Sequence, residues 1–319
     1  MERCAVLIPC YNEEMTIGKV VREWKQEIPE ATIYVYDNNS RDASAAMARQ
    51  EGAVVRQEHQ QGKGNVIRRM FREIDAACYL MVDADDTYPV RYGRQMMEEV
   101  LHGNADMVVG DRLSSTYFEQ NRRPFHNFGN SLVRFTINRL FRSEIADIMT
   151  GYRAFSFQFV KTFPVLSKGF EIETEMTIHA VDKNMQISNL VIEYRDRPQG
   201  SESKLNTYTD GIRVLRTIGA LYKNYKPMHF FSWMALLLLV AAAVFVYPVL
   251  VTYFRSGLVP RFPTLITSGF LALAALLSFF AGMILDTIAR KSRQEFEHRL
   301  QVADLAYKIL QKEERKRGA

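Results

Sequence analysis

Short apolar runs alternate with segments of helical spacing along the first half of the chain. The apolar runs, several rich in β-branched or aromatic residues, predict five strands at residues 4–9, 32–36, 54–55, 79–82 and 105–110. Between them, the spacing predicts helices at residues 15–27, 43–51 and 65–77. Strands that alternate with helices are typical of an α/β fold, so we predict a mostly parallel sheet covered by helices.

Two long uncharged segments lie in the second half of the chain. Residues 230–252 and 264–285 contain no charged side chain, and each is long enough to cross a hydrocarbon core of about 30 Å as a helix. Neither segment has a polar face, which disfavours two buried helices of a soluble protein. We therefore predict an α/β domain at residues 1–229, two transmembrane helices within residues 230–289, and a basic helical tail at residues 290–319.

Basic residues gather on both flanks of the apolar segments. Lys and Arg number 41 against 36 for Asp and Glu, and this net charge of +5 is too small to indicate a nucleic-acid partner. The short connection between the two segments contains only Arg255 and Arg261 as charged residues. By the positive-inside rule, we predict a multi-pass protein of the plasma or inner membrane, with the α/β domain and both termini in the cytoplasm. The basic flanks would contact anionic lipids of the bilayer.

Two further helices are predicted outside these elements. Residues 125–141 alternate apolar and basic side chains, which indicates an amphipathic helix that packs either on the core or on a membrane surface. Residues 296–310 form an apolar seam of about two heptads, too short for a coiled coil. We expect this tail helix to pack on the same chain. The sequence leaves open whether the protein forms a homo-oligomer.

Polar clusters follow three of the predicted strands, at residues 11–13, 37–39 and 83–86. Ligands of parallel α/β sheets bind beyond the carboxyl ends of the strands. Two neighbouring carboxylates, Asp83 and Asp85, would repel each other there, and a divalent cation such as Mn²⁺ or Mg²⁺ relieves that repulsion. The alternative is a solvated turn in which Asp86 and Thr87 cap the next helix. Asp37 could accept hydrogen bonds from a base or a ribose, or belong only to a helix cap.

The segment Gly62-Lys63-Gly64-Asn65 opens a predicted helix. Its glycines allow close backbone approach, and a helix N-terminus favours anions. The spacing is not that of a P-loop, and the chain contains no GxGxxG motif, which disfavours a Rossmann dehydrogenase.

Together these motifs resemble the family 2 glycosyltransferases with the GT-A fold. VLIPCYNEE is similar to the opening P-x-Y-N-E signature of that family, YDNNSRDAS to its second-strand element, GKGN to its third and MVDADDTYP to its metal-binding acids. GDRLSS, NRRPFHNFGN, DIMTGYRAF and EYRDRPQGSESKLN resemble the polyprenyl-phosphate hexosyltransferases, the group that contains dolichol-phosphate mannose synthase. The resemblance covers about residues 6–285. The Q-x-x-R-W signature of processive members is absent, which disfavours a polymerase.

The resemblance implies a role for each matching position. Around the nucleoside it places Pro9, Tyr11, Glu13 and Asp37. Beside the ribose and diphosphate it places Lys63 and Asp83. The metal ligand is Asp85, with Asp83 next to it. The acceptor phosphate would meet Arg112, Arg123 and Asn127. A loop that closes over the diphosphate carries Arg195, Arg197, Ser203 and Lys204. Dolichol-phosphate mannose synthases often have D-x-D-x-Q, whereas this chain has Thr87 at the last position, so Asp86 or water would replace that ligand.

These residues suit the transfer of one sugar from a nucleotide-sugar to polyprenyl phosphate. The departing diphosphate needs a cation and basic side chains to balance its charge, which Asp85 with its metal, Lys204, Arg195 and Arg197 can supply. Arg112 and Arg123 would match the acceptor phosphate, so Asp85, Lys204, Arg112 and Arg123 are the catalytic candidates. An acceptor phosphate with a second pKa of about 6 is already nucleophilic near neutral pH, so no strong base is required. In-line attack would invert the anomeric configuration. We prefer UDP to GDP as the leaving group.

Two alternatives remain open at this point. A transferase that acts on a lipid hydroxyl would need a general base, and its rate would depend on a deprotonated carboxylate. A non-catalytic membrane scaffold would bind a nucleotide-sugar without turnover.

Overall fold

The computed structural model describes residues 1–112, 114, 135, 138–139, 145–169, 171–195, 219–220 and 222–318. The chain divides into two compact units. One unit comprises Met1–Gly211 together with Phe296–Ala319, and the other comprises Ile212–Glu295.

The first unit contains a mixed sheet that has seven strands within the described residues. The strands are β1 Glu2–Cys10, β2 Thr32–Asp37, β3 Val54–Gln57, β4 Ala76–Met81, β5 Met107–Asp111, β6 Arg153–Ser156 and β7 Ile187–Val191. Their order is β3-β2-β1-β4-β6-β5-β7, and β6 runs antiparallel to both β4 and β5. All other pairings are parallel. The predicted α/β class with a mostly parallel sheet is confirmed.

Six parallel strands therefore end at the same edge of the sheet, which we call the carboxyl edge. It is the edge where β1, β2, β3, β4, β5 and β7 end and where the antiparallel β6 begins. The five strands expected from the sequence are all present, and β6 and β7 are additional.

Six helices flank the sheet in the described part of this unit: α1 Ile17–Glu27, α2 Ser44–Gln50, α3 Lys63–Glu73, α4 Gly93–Leu101, α5 Phe157–Thr162 and α6 Ile172–Asp182. The predicted helix at residues 65–77 was wrong at its end, because Ala76 and Ala77 belong to β4. Ala76 pairs with Glu2, and the Tyr79 hydroxyl accepts a hydrogen bond from the Ala76 N–H and donates one to the Ile74 carbonyl. Sheet pairing thus outweighs the helix propensity of the two alanines.

The central strands are buried on both faces, which explains why they read as continuous apolar runs. In β1, one face contributes Cys4, Val6 and Ile8 to a cluster that includes Trp24. The opposite face contributes Ala5 and Leu7 to a second cluster, which the apolar sides of α3, α5 and α6 complete.

The second unit contains two long apolar helices, α7 Pro227–Ser256 and the start of α8 Phe262–Gly318. Both are long and apolar enough to cross a membrane, and they contain the segments 230–252 and 264–285 that the sequence identified. The helices approach closely at Gly282, where an added Cβ would lie 2.7 Å from the Cβ of Phe231. The helix α7 ends at Gly257, whose φ of 70° favours glycine.

The last part of α8 belongs to the first unit and packs against α5 and α6. The Phe296 ring lies 5.4 Å from the His179 ring, and the Lys183 ammonium lies 5.6 Å from the same phenyl centroid. Further along, Tyr307 contacts Phe157, with ring centroids 5.4 Å apart. Burial and the neighbouring Lys183 lower the pKa of His179 to about 4, so the imidazole is neutral in this apolar contact. The apolar seam of the tail therefore packs on its own chain, as expected.

We predict that Phe296→Ala destabilises the first unit while Val302→Ala does not. Phe296 is 4% exposed, whereas Val302 on the same helix is 68% exposed. Removing a buried phenyl ring typically costs about 3–5 kcal/mol, and an exposed valine costs little. Thermal unfolding of the purified protein measures both, and equal midpoints for the two variants would contradict the observed packing of the tail.

Candidate active site

Three turns at the carboxyl edge contain residues with left-handed backbone conformations. Asn12 follows β1 with a φ of 52°, Asn39 follows β2 with a φ of 65°, and Asp86 follows β4 with a φ of 59°. Such conformations cost about 1–3 kcal/mol each and persist only where the surroundings enforce them. Hydrogen bonds hold the first turn, because the Asn12 N–H donates to Ser40 Oγ and Asn12 Oδ1 accepts from the Arg41 N–H. The strand ends are therefore fixed relative to one another.

Asp37 ends β2 with one carboxylate oxygen unsatisfied in the described structure. The residue is 6% exposed, and its Oδ2 accepts a hydrogen bond of 3.2 Å from the Ser40 N–H. Its Oδ1 is buried without a hydrogen-bond partner. A buried acceptor left unpaired is costly, and an N–H or O–H of a ligand would remove that cost.

Asn38 connects the end of β2 to the loop that precedes α3. Its Nδ2 donates to the carbonyls of Glu58 and Gln60, both at 2.9 Å, and its Oδ1 accepts from the Gly62 N–H at 2.7 Å. The glycines of this loop permit a close backbone approach, and the segment that approaches them belongs to the same chain. The Gly64 N–H donates to the Lys168 carbonyl, and a Cβ on Gly64 would lie 2.0 Å from the Ser167 carbonyl oxygen.

Lys63, the first residue of α3, lies between two carboxylates. Its Nζ is 2.5 Å from Asp83 Oδ1 and 2.6 Å from Glu173 Oε1. Burial by itself would lower the pKa of Lys63, but the two carboxylates raise it above its ordinary value. Burial raises the pKa of Glu173, Lys63 partly offsets this, and the charge of Asp83 adds to the rise. The lysine therefore stays protonated and neutralises the first acid that follows β4.

Asp85, the second acid of the motif, is held by the neutral Thr87. Asp85 is 5% exposed, and its Oδ1 accepts from the Thr87 hydroxyl at 2.6 Å and from the Thr87 N–H at 3.2 Å. Thr87 thus orients the Asp85 carboxylate. The neighbouring Asp86 accepts a hydrogen bond of 2.5 Å from Lys19 and lies 3.9 Å from the Arg195 guanidinium.

These carboxylates suit a cation that is shared with a ligand better than a closed metal cage. Among the residues that the structure describes, no group of three or more His, Cys, Asp or Glu side chains could hold a metal ion. Mg²⁺ and similar hard cations commonly bind one or two carboxylates together with substrate phosphates. Asp85 fits this role, with Asp83 beside it but bound to Lys63.

Arg112 follows β5 and is oriented by a residue that sequence reasoning did not single out. Its Nε and Nη2 donate to the two carboxylate oxygens of Asp147, at 2.7 Å and 3.2 Å. The rings of Tyr88 and Tyr194 lie 5.9 Å and 5.4 Å from the guanidinium. This bidentate pair is buried, so it fixes the direction of the guanidinium. The only available signal for Asp147 was its place in the DIMTGYRAF segment.

Gly151 lies between the ends of β4 and β5. It precedes β6, whose Arg153 pairs with both Met81 and Val109. A Cβ on Gly151 would lie 2.2 Å from Asp83 Oδ2, and the Gly151 N–H donates to the Tyr88 hydroxyl at 3.0 Å. Because Gly151 has no side chain, the Asp83 carboxylate can occupy this position without a steric clash.

The carboxyl edge thus collects most of the site residues predicted from the sequence that fall in the described part of the chain. Tyr11, Glu13, Asp83 and Asp85 lie on the turns after β1 and β4, Asp37 is the last residue of β2, and Pro9 lies inside β1. The others are Lys63, Arg112 and Arg195, whose backbone N–H donates to the Thr87 carbonyl. Outside the described residues lie Arg123, Asn127, Arg197, Ser203 and Lys204, with most of the predicted helix at 125–141.

Comparison with known proteins agrees with this architecture. Residues 5–163 match the model of glycosyl transferase family 2. The uncharacterized protein SF2094/S2216 of Shigella flexneri is 39% identical over 51% of this chain and 99% of its own length. A dolichyl-phosphate hexose transferase of Haloferax volcanii is 25% identical over 67% of this chain and 91% of its own length. An undecaprenyl-phosphate mannosyltransferase of Micrococcus luteus is 23% identical over 64% and 88%.

A solved structure shares the fold. Glucosyl-3-phosphoglycerate synthase from Mycobacterium tuberculosis, in complex with Mn²⁺, UDP and phosphoglyceric acid, is similar with a TM-score of 0.53. The match covers 70% of this chain and 78% of that chain at 19% identity, which supports the fold alone. With the family match and the sheet described above, the chain belongs to glycosyl transferase family 2 and is a glycosyltransferase with the GT-A fold.

Proposed function

We propose that this glycosyltransferase transfers a single sugar from a nucleotide-sugar to polyprenyl phosphate, with inversion and with Mn²⁺ or Mg²⁺. The observation that carries the proposal is the layout of the carboxyl edge. Acidic residues follow the end of β4, and a buried arginine follows β5. These two strands lie on either side of β6. Two strand spacings separate them by about 10 Å. This leaves room for a sugar between a metal-bound diphosphate on one side and an acceptor phosphate on the other.

The donor half of the site is formed by the ends of β1, β2 and β4. The unsatisfied Oδ1 of Asp37 would accept an N–H of the base or a ribose hydroxyl, and we prefer uridine as the base. Asp85 would hold the divalent cation, which when bound would balance the charge of the departing diphosphate. Lys63 keeps Asp83 in place beside it. By resemblance, Arg195, Arg197, Ser203 and Lys204 would close over the diphosphate, and Pro9, Tyr11 and Glu13 would border the nucleoside.

The acceptor half centres on Arg112. The Asp147 carboxylate accepts hydrogen bonds from Nε and Nη2, so the direction of the planar guanidinium is fixed. A lipid phosphate is largely dianionic near neutral pH and needs no strong base to attack the anomeric carbon. The relatives named for dolichyl-phosphate and undecaprenyl-phosphate transfer support this acceptor. Arg123 and Asn127 would complete the phosphate site by resemblance.

The two apolar helices support a membrane placement for this protein. Because basic residues flank both helices, we propose that the catalytic domain, residues 1–229, lies at the cytoplasmic face. Residues 230–289 would form the two spans, and residues 290–319 would form a cytoplasmic tail.

The direct test is transfer by the purified protein in detergent. Undecaprenyl phosphate is supplied with Mn²⁺ or Mg²⁺ and a panel of labelled UDP- and GDP-sugars, with an EDTA control. We expect label from one donor in an acid-labile lipid, and only with metal. Nucleotide binding without transfer to this lipid would contradict the proposal, and would indicate a lipid hydroxyl acceptor or a scaffold.

Substitution of Asp85 tests the metal assignment. Asp85→Asn should lower kcat by about 10²-fold or more, because a neutral amide cannot replace the carboxylate at a divalent cation. The matched control is Asp75→Asn, since the Asp75 carboxylate is exposed and lies before β4 at the opposite edge of the sheet. A metal titration of the transfer rate compares the variants. Wild-type kcat and metal dependence in Asp85→Asn would contradict the assignment.

Substitution of Arg112 tests the acceptor half. Arg112→Lys retains the charge but loses the fork that binds a carboxylate and a phosphate together. We expect the KM for the lipid phosphate to rise about tenfold, with the donor KM little changed. Arg94→Lys, on a partly exposed arginine that pairs with Glu30, is the control. Steady-state kinetics with each substrate varied in turn checks this, and an unchanged acceptor KM removes Arg112 from the phosphate site.

Gly151 tests whether the position of Asp83 matters for transfer. Gly151→Ala places a methyl group within 2.2 Å of Asp83 Oδ2, so the carboxylate must move. We expect at least a tenfold loss of kcat/KM for the donor, since displacements of about 1 Å can cost 10²-fold. The control is Gly269→Ala, because an added Cβ there meets no atom within 4 Å. A donor kcat/KM equal to that of the control would show that Asp83 tolerates displacement.

A further inference from the structure

Glu173 is a buried carboxylate beside the site that none of the roles above requires. It lies in the first turn of α6, is 4% exposed, and places Oε1 2.6 Å from Lys63 Nζ. It is 110 positions from Lys63 in sequence, so only the fold brings the two together. A charged group in such a position is costly to bury unless it is paired and hydrogen-bonded.

The Lys63 ammonium forms a bridge between Glu173 and Asp83. Its second carboxylate partner, Asp83 Oδ1, lies 2.5 Å away. Without Glu173, the long lysine side chain would lose one of its carboxylate partners and gain rotameric freedom. With Glu173, the ammonium contacts one carboxylate on each of two sides. These contacts fix the position of the ammonium and therefore the direction of the Asp83 carboxylate.

Glu173 is itself held firmly. The Thr177 hydroxyl donates to the Glu173 carbonyl at 3.0 Å, and Thr177 Oγ1 accepts from the fully buried Arg153 at 2.8 Å. Arg153 also donates to the carbonyls of Ile148 and Thr150. Hydrogen bonds through Thr177 and Arg153 thus connect the Glu173 backbone to the segment that contains Asp147 and Gly151.

We propose that Glu173 is a positioning residue that acts through Lys63 to hold Asp83 in its donor-binding orientation. The proposal rests on the donor site proposed above. In this proposal Lys63 orients the Asp83 carboxylate and does not itself bind the diphosphate. Glu173 touches neither donor nor acceptor in this account.

The test is a double-mutant cycle of Glu173→Gln and Lys63→Met, with Glu171→Gln as the control. Glu171 is exposed and precedes α6 by one residue. Charge-assisted hydrogen bonds are roughly twice as strong as neutral ones, so Glu173→Gln should weaken kcat/KM for the donor about tenfold. The acceptor KM should stay unchanged, and Glu171→Gln should match the wild type. Because Glu173 acts through Lys63, the double variant should lose no more than Lys63→Met alone.

Binding and unfolding measurements keep the result interpretable. Calorimetry with UDP and Mn²⁺ should show the same weakening, while the thermal midpoint of Glu173→Gln shows that the protein is folded. If Glu173→Gln does not fold, Glu173→Asp keeps the charge one methylene shorter and should give an intermediate loss. A wild-type donor kcat/KM in the variant that folds, or losses that multiply in the double variant, overturns the proposal. A wild-type protein that binds neither UDP nor GDP overturns both this inference and the proposed function.

Discussion

The negative charge collected after one buried strand is the constraint on which the rest of the site depends. Asp83, Asp85 and Asp86 follow β4 directly, and carboxylates this close repel one another unless each has a partner. The fold meets the requirement differently at each position. Lys63 and Lys19 pair with the first and last of the three, whereas Thr87 gives Asp85 hydrogen bonds without adding charge. Asp85, oriented by Thr87, is the carboxylate that we propose shares a cation with a bound diphosphate.

The helix α6 relates this arrangement to the tail of the chain. Its first turn carries Glu173, which contacts Lys63, and its last turn carries His179, which contacts Phe296 of α8. One helix therefore contacts both the acidic end of β4 and the C-terminal segment. The tail therefore packs on the helix that carries Glu173, which gives it a structural role in the first unit.

Local patterns predicted the fold and placed polar clusters at the strand ends, but they did not identify the partners of those residues. Buried strands such as β1 read as apolar runs, whereas β7, half exposed at the sheet edge with polar residues inside it, has no such signal. The GKGN segment correctly indicated a helix, although the predicted helix began at Asn65 and α3 begins at Lys63. Its glycines allow close approach of the backbone of residues 167–168. The partners Asp147 and Glu173 lie far along the chain from Arg112 and Lys63. No spacing rule connects such positions, because only the completed sheet places them together.

The nature of the bond formed tests the central claim most directly. The lipid product, purified after a reaction with undecaprenyl phosphate and the productive nucleotide-sugar, can be examined by phosphorus and proton nuclear magnetic resonance. Direct attack by the lipid phosphate predicts a single glycosyl phosphodiester with an anomeric configuration opposite to that of the donor. A glycoside formed on a hydroxyl group, or a phosphodiester with retained configuration, would contradict the account.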